Sequence, residues 1–125
     1  MRPRLVEPAL IGYLRGVTST QVGSRVPEVR PSAWVRVNAT GGDRANLVQG
    51  VPAVLVECWA ASEGAAARLA GDVWAHLDAL NTNEALPWVH RVGLTLPVNF
   101  PDPDLPTFPR YQFIAAVTSN LEVTP

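Results

Sequence analysis

Two carboxylates two residues apart, Asp102 and Asp104, are the first groups in this chain whose type and spacing could do chemistry. An i, i+2 pair of aspartates can open a calcium loop, but calcium needs roughly six to eight oxygen ligands. Prolines at 101, 103 and 106 surround the pair and no further ligand type follows, so it reads as a solvated acidic turn. The two histidines, His76 and His90, fall in different elements. His76 lies beside Leu77 in a helical stretch and reads as a structural histidine. With one cysteine, no His-x-x-x-His and no clustered carboxylates, no zinc or di-metal site is indicated. Gly41-Gly42 lacks the strand–loop–helix setting and the lysine of a phosphate loop. Ser19, Ser24, Ser32, Ser62 and Ser119 have no nucleophile-elbow surroundings. These residues predict no enzyme, no metal and no cofactor.

Contact-forming residues are more prominent than reactive ones. Four prolines in the nine residues from Pro101 to Pro109 hold a loop semi-rigid without secondary structure of its own. Such a loop either presents a fixed shape to a partner at low entropic cost or simply joins two strands. It leads into Arg110 and Tyr111, with Phe108 just before them. A forked donor and aromatic area there suit a carboxylate and an apolar surface across an interface. Of the four tryptophans, Trp59 and Trp74 are expected in the core. Trp34 and Trp88, near strand beginnings, are expected at contacts. Glu57 is a carboxylate inside the most apolar stretch of the chain. It must be paired, exposed at a strand end, or turned towards another subunit. Cys58, the lone cysteine, sits in the same run and reads as a small buried hydrophobe.

The elements that position these residues follow from periodicity. Ala9, Leu10, Tyr13, Leu14 and Val17 give a short helix opened by Pro8 and ended near Gly16. Gln21 to Val26 is a short segment that can be extended, and Pro27 and Pro31 bracket a loop. Trp34 to Thr40 alternates, with Val35, Val37 and Ala39 on one side and Trp34, Arg36 and Asn38 on the other. Gly41-Gly42-Asp43-Arg44 reads as a turn, after which Leu47 and Val48 can begin the next strand. Val51 to Ala60 is almost continuously apolar and predicts a central strand buried on both faces. Ser62 caps a helix from Glu63 to Leu80, with Ala66, Leu69, Ala70, Val73, Leu77 and Leu80 on one stripe. Val89 to Val98 alternates again, with Val92, Leu94, Leu96 and Val98 on one face, and the last strand runs from Arg110 to about Val123. The expected fold is one α+β domain over residues 1–125, a mainly antiparallel, mixed sheet of about four to five strands with two helices packed on one face.

Composition bounds the partners. The chain has 125 residues, 47% hydrophobic and 17% charged. That charged fraction falls below the usual value of roughly 25% and suggests apolar surface covered by other subunits. The net charge of −1 gives no basic footprint for nucleic acid. All ten cations are arginine, a bias that either interface pairing or a GC-rich genome produces. No stretch approaches the roughly 20 apolar residues of a membrane span. The first eight residues lack the apolar core of a signal peptide, so a cytoplasm-like compartment is expected.

Taken together, the pattern resembles the tail terminator proteins of long, non-contractile-tailed phages (siphoviruses), especially those infecting actinobacteria. The resemblance spans residues 5 to 123. A leading helix precedes Trp34-Val35-Arg36-Val37, and Val54-Leu55-Val56-Glu57-Cys58-Trp59-Ala60 runs into an alanine-rich helix. Asn99-Phe100-Pro101-Asp102-Pro103-Asp104 comes next, and Pro109-Arg110-Tyr111-Gln112-Phe113, its most specific part, starts the last strand. The resemblance implies a virion structural protein, assembled in the host cytoplasm and placed at the head-proximal end of the tail. It would form a hexameric ring that stops growth of the tail tube and docks the tail onto the head connector. Its partners would be copies of itself, the major tail tube protein and a head–tail connector protein. DNA would pass through without specific binding, past an opening for which Asp43, Asp102 and Asp104 are candidate lining residues. Two other readings stay open: a different neck protein, and a small dimeric ferredoxin-like enzyme with His90 and Trp88 as its candidate cluster.

Overall fold

The computed structural model describes residues 1–124. The elements, in chain order, are α1 (Val6–Val17), β1 (Gln21–Gly23), β2 (Ala33–Arg44), β3 (Gln49–Ala60) and α2 (Glu63–Asp78). A 3-10 turn (Ala79–Asn81), β4 (Val89–Leu94), β5 (Val98–Asn99) and β6 (Arg110–Asn120) follow. All six strands join one mixed sheet in the order β1-β2-β3-β6-β4, with β5 continuing the β4 edge along β6. Among the described residues only β1 and β2 pair parallel. The α+β class and the mixed sheet with two helices follow the sequence expectation, with one strand more than the upper estimate.

Both helices cover the same side of the sheet. Leu10, Ile11 and Leu14 of α1 and Ala70, Val73 and Leu77 of α2 bury against Val35, Val37, Val54, Val56, Cys58, Phe113, Ala115 and Val117. These strand residues share one parity, so the period-two pattern of β2, β3 and β6 presents one apolar face to the helices. Ser62 caps α2 as expected, its Oγ accepting from the Ala65 backbone N–H at 3.1 Å. Tyr13 on α1 ties the layers together by donating to the His76 carbonyl at 2.6 Å.

Two local expectations are corrected. Gly41-Gly42-Asp43-Arg44 is part of β2 rather than a turn, pairing with Ala53, Pro52, Val51 and Gly50 beyond a bulge between Ala39 and Gly41. Both glycines have positive φ, and a Cβ on Gly42 would lie 2.2 Å from the Val51 carbonyl oxygen. The glycines therefore serve the bulge and a close approach of two backbones. The chain reverses at Ala45–Val48 instead, where Arg44 donates to the Asn46 and Leu47 carbonyls. The second correction concerns Val89–Val98. Pro97 has no N–H to give a ladder, and the strand breaks after Leu94. The register slips by one before Val98 meets Gln112, so Leu96 and Val98 are solvent-exposed rather than continuing the inward face of Val92.

The sheet edges are partly blocked by side chains. Asn81 both accepts from the Val92 N–H (2.8 Å) and donates to the Val92 carbonyl (2.9 Å), imitating a neighbouring strand beside β4. On the far edge, Glu7 accepts the Ala39 N–H of β2 at 2.8 Å. Such devices hinder edge-to-edge pairing.

Candidate assembly surface

The sheet face away from the helices carries Trp34, Arg36 and Asn38 on β2, Leu55, Glu57 and Trp59 on β3, and Arg110, Gln112 and Ile114 on β6. Trp34 and Trp59 are register partners, and their rings stack at 5.3 Å with planes 15° apart. Arg110 is the register partner of Trp59, and its guanidinium carbon lies 5.6 Å from that ring and 5.4 Å from the Phe100 ring.

Glu57 resolves the puzzle of a carboxylate in an apolar strand: it is paired inside its own chain. Its Oε2 accepts from the Arg110 Nη1 at 2.8 Å, and its Oε1 lies 3.5 Å from the Arg36 Nη1. Arg110 also donates from Nε to the Phe100 carbonyl at 2.8 Å and lies 3.7 Å from the Asp102 carboxylate. Two arginines and two carboxylates thus balance, Glu57, Arg110 and Asp102 largely covered and Arg36 one-third exposed. The cover is the proline loop, whose Phe108 meets the Trp34 ring edge-on at 4.9 Å. This makes a second small core on the side opposite the helices, so β3 is buried on both faces only where the loop lies over it.

These contacts revise the expected interface residues. Trp34, Glu57 and Arg110 are buried within the monomer, and the Arg110 carboxylate partner belongs to the same chain. Tyr111 and Trp88 are half-buried against the helix-side core, and the Arg4 guanidinium covers the Trp88 ring at 5.4 Å. Phe108 is half-buried on Trp34. Asp102 is half-buried: it turns towards Arg110 and accepts the Asp104 N–H in a local turn. Asp43 and Asp104 are exposed. Trp59 is in the core as expected, whereas Trp74 is half-buried and donates to the Thr95 carbonyl at 3.0 Å.

The exposed apolar residues were missed in the sequence. Ile114 on β6 is 44% exposed; along the segment beside β6, Val98 (53%) pairs with Gln112, two residues from Ile114, Phe100 (54%) lies by Arg110, and Leu96 (78%) precedes them. Alternation predicts Ile114: once Phe113, Ala115 and Val117 face the helices, Ile114 must face the other way. Thr95 joins this strip to the edge by accepting the Ile114 N–H through its hydroxyl and donating its own N–H to the Ile114 carbonyl.

No group of three or more His, Cys, Asp or Glu side chains that could hold a metal occurs among the described residues. His90 is exposed and His76 half-buried. Burial pushes the Cys58 thiol far above its ordinary range, and the negative Glu57 beside it adds to the effect. An open cavity of about 340 Å³ lies between the amino-terminal segment and the β2–β3 hairpin, lined by residues such as Arg2, Pro3, Asp43 and Val51. Neither His90 nor Trp88 lines it. The element order, with three strands before α2 and three after, also departs from the strand-helix-strand-strand-helix-strand order of the ferredoxin-like alternative. No described helix is long and apolar enough to cross a membrane. The sequence matches no protein-family model and no curated protein.

Proposed function

We propose that this protein is a non-enzymatic virion component, a subunit of a hexameric ring that terminates a phage tail tube and joins the tail to the head connector. The observation that carries this reading is the row of exposed apolar residues Val98, Phe100 and Ile114 on the open side of the sheet, with exposed Leu96 in the same segment. A strip of this kind marks a contact surface. Its ionic neighbours, Glu57, Arg110 and Asp102, are paired internally, so the strip meets a partner without having to desolvate free charges. A closed ring needs head-to-tail contacts between two different patches on each subunit. The partners in this reading are further copies of the chain, the tail tube protein and the connector protein.

The ring's opening passes DNA without holding it. A net charge of −1 and exposed Asp43 and Asp104 disfavour attraction to phosphate. The reading is tested by infection with a phage lacking this protein. Tail tubes longer than normal and unjoined to heads are expected; tubes of normal length joined to heads would refute the assignment.

A further inference from the structure

The proline loop, residues 100–109, is fastened firmly only at its ends. The Phe100 N–H donates to the Arg110 carbonyl at 3.0 Å, and the Ala60 N–H donates to the Pro109 carbonyl at 3.2 Å. Between these points no backbone hydrogen bond ties it to the sheet among the described residues; Phe108 edge-on against Trp34, the Asp102–Arg110 charge pair at 3.7 Å and the apolar cover over Trp34 and Trp59 hold it. What it covers is incompletely satisfied. The indole N–H groups of Trp34 and Trp59 and the Oε1 of Glu57 are buried, with no hydrogen-bond partner among the described residues. Buried donors without acceptors disfavour the closed arrangement. Lifting the middle of the loop breaks these contacts and exposes the buried Trp34 and Trp59 rings, which the occupant must cover again, and it frees two indole donors to find acceptors.

We propose that the loop is a strap that lifts when copies assemble, uncovering a tryptophan–arginine surface that receives a carboxylate-bearing segment of the adjoining subunit. Charge selects this occupant. Raising the strap removes Asp102 and leaves Arg36 and Arg110 facing Glu57 alone, a site one positive charge in excess. A carboxylate restores the balance, and backbone carbonyls beside it accept from the two indoles. Tryptophan and arginine are also the residues most enriched where binding energy concentrates. The uncovered surface is continuous with the exposed strip around Ile114, so one contact spans both. The occupant rests on the ring reading above; the strap's motion does not.

Two measurements separate the parts. In the monomer, hydrogen exchange at the Trp34 and Trp59 indole N–H groups is followed beside the Val56 amide of the central strand. A strap that opens locally lets both indoles exchange at least about tenfold faster than Val56 after correction for intrinsic rates. Asp102→Asn then speeds the indoles about fivefold, while the gap between the indoles and Val56 persists. Indoles that exchange no faster than Val56, or that ignore Asp102→Asn, overturn the strap. In the assembly, a bimane label on exposed Thr107→Cys reports quenching by the tryptophans beneath. Cys58 does not compete, because its thiol is buried and held protonated. Dequenching of several-fold on ring formation is expected. A ring of confirmed mass with the label still quenched overturns the occupant alone, while failure to form a ring at any concentration or on tail tubes refutes the ring reading and the occupant with it.

Discussion

The Glu57 and Arg110 side chains meet at 2.8 Å on adjacent strands of one sheet face, diagonal neighbours in a register that pairs Glu57 with Gln112 and Trp59 with Arg110. Both are buried beneath the proline loop. Removing one partner leaves an uncompensated buried charge. Arg110→Ala or Glu57→Ala is therefore expected to cost about 3–5 kcal/mol of folding stability. The double change Glu57→Leu with Arg110→Met is expected to cost far less than the sum of the two single changes. Urea unfolding of the three variants checks this, and near-additive losses would argue against the pairing.

The geometry also changes how an assembly defect in Arg110→Ala should be read. Arg110 is an internal support for the loop, so a failure of that variant reports on the fold before it reports on any interface. Ile114→Asp is the better probe of the contact surface. Ile114 is 44% exposed, so the monomer should stay folded with a loss of about 1–2 kcal/mol while assembly is lost. Circular dichroism melting together with light scattering distinguishes the two effects.

Glycines at two positions should respond oppositely to alanine. At Gly42, with φ of 128° and a backbone oxygen 2.2 Å from the Cβ position, alanine forces β2 and β3 apart. A loss of more than about 1 kcal/mol is expected. At Gly71, in α2, a Cβ meets nothing within 4 Å, and alanine should stabilise by about 0.5–1 kcal/mol. Thermal or urea denaturation of the two variants reads out both signs.

The raised thiol pKa of Cys58 makes stability fall at alkaline pH. The unfolded chain loses the thiol proton near its ordinary pKa of about 8.5, while the folded chain keeps it. The unfolded state then binds fewer protons, so the unfolding free energy decreases with pH above that value. The contribution is fully present below about pH 8.5 and should shrink by about 2 kcal/mol between pH 8 and 10. Comparing the pH dependence of wild type with that of Cys58→Ala isolates this effect, and parallel curves for the two proteins would contradict it.

Local signals carried much of the fold. Ser62 before an alanine-rich amphipathic run marked α2, and the alternation of Val35 and Val37 gave the inward face of β2. Sequence also singled out Glu57 as needing a partner. Which partner it took could not be read, because Arg36 and Arg110 reach it only once β2, β3 and β6 are in register. The same register buried Trp34, which its place at a strand beginning had suggested was exposed. Gly41-Gly42 carried the chemistry of a turn, but pairing with β3 held it in the strand and moved the reversal to Ala45–Val48. Leu96 and Val98 left the inward face because Pro97 interrupted a ladder whose alternation otherwise looked unbroken.

Cryo-electron microscopy of assembled tails tests the central claim most directly. The account predicts six copies of this protein closed into a ring at the head-proximal end of the tail tube. In that ring each subunit should bury its Ile114 strip against a different patch of the next. A map showing the protein as an isolated monomer or a two-fold dimer, or lacking it at that end of the tube, would contradict the account.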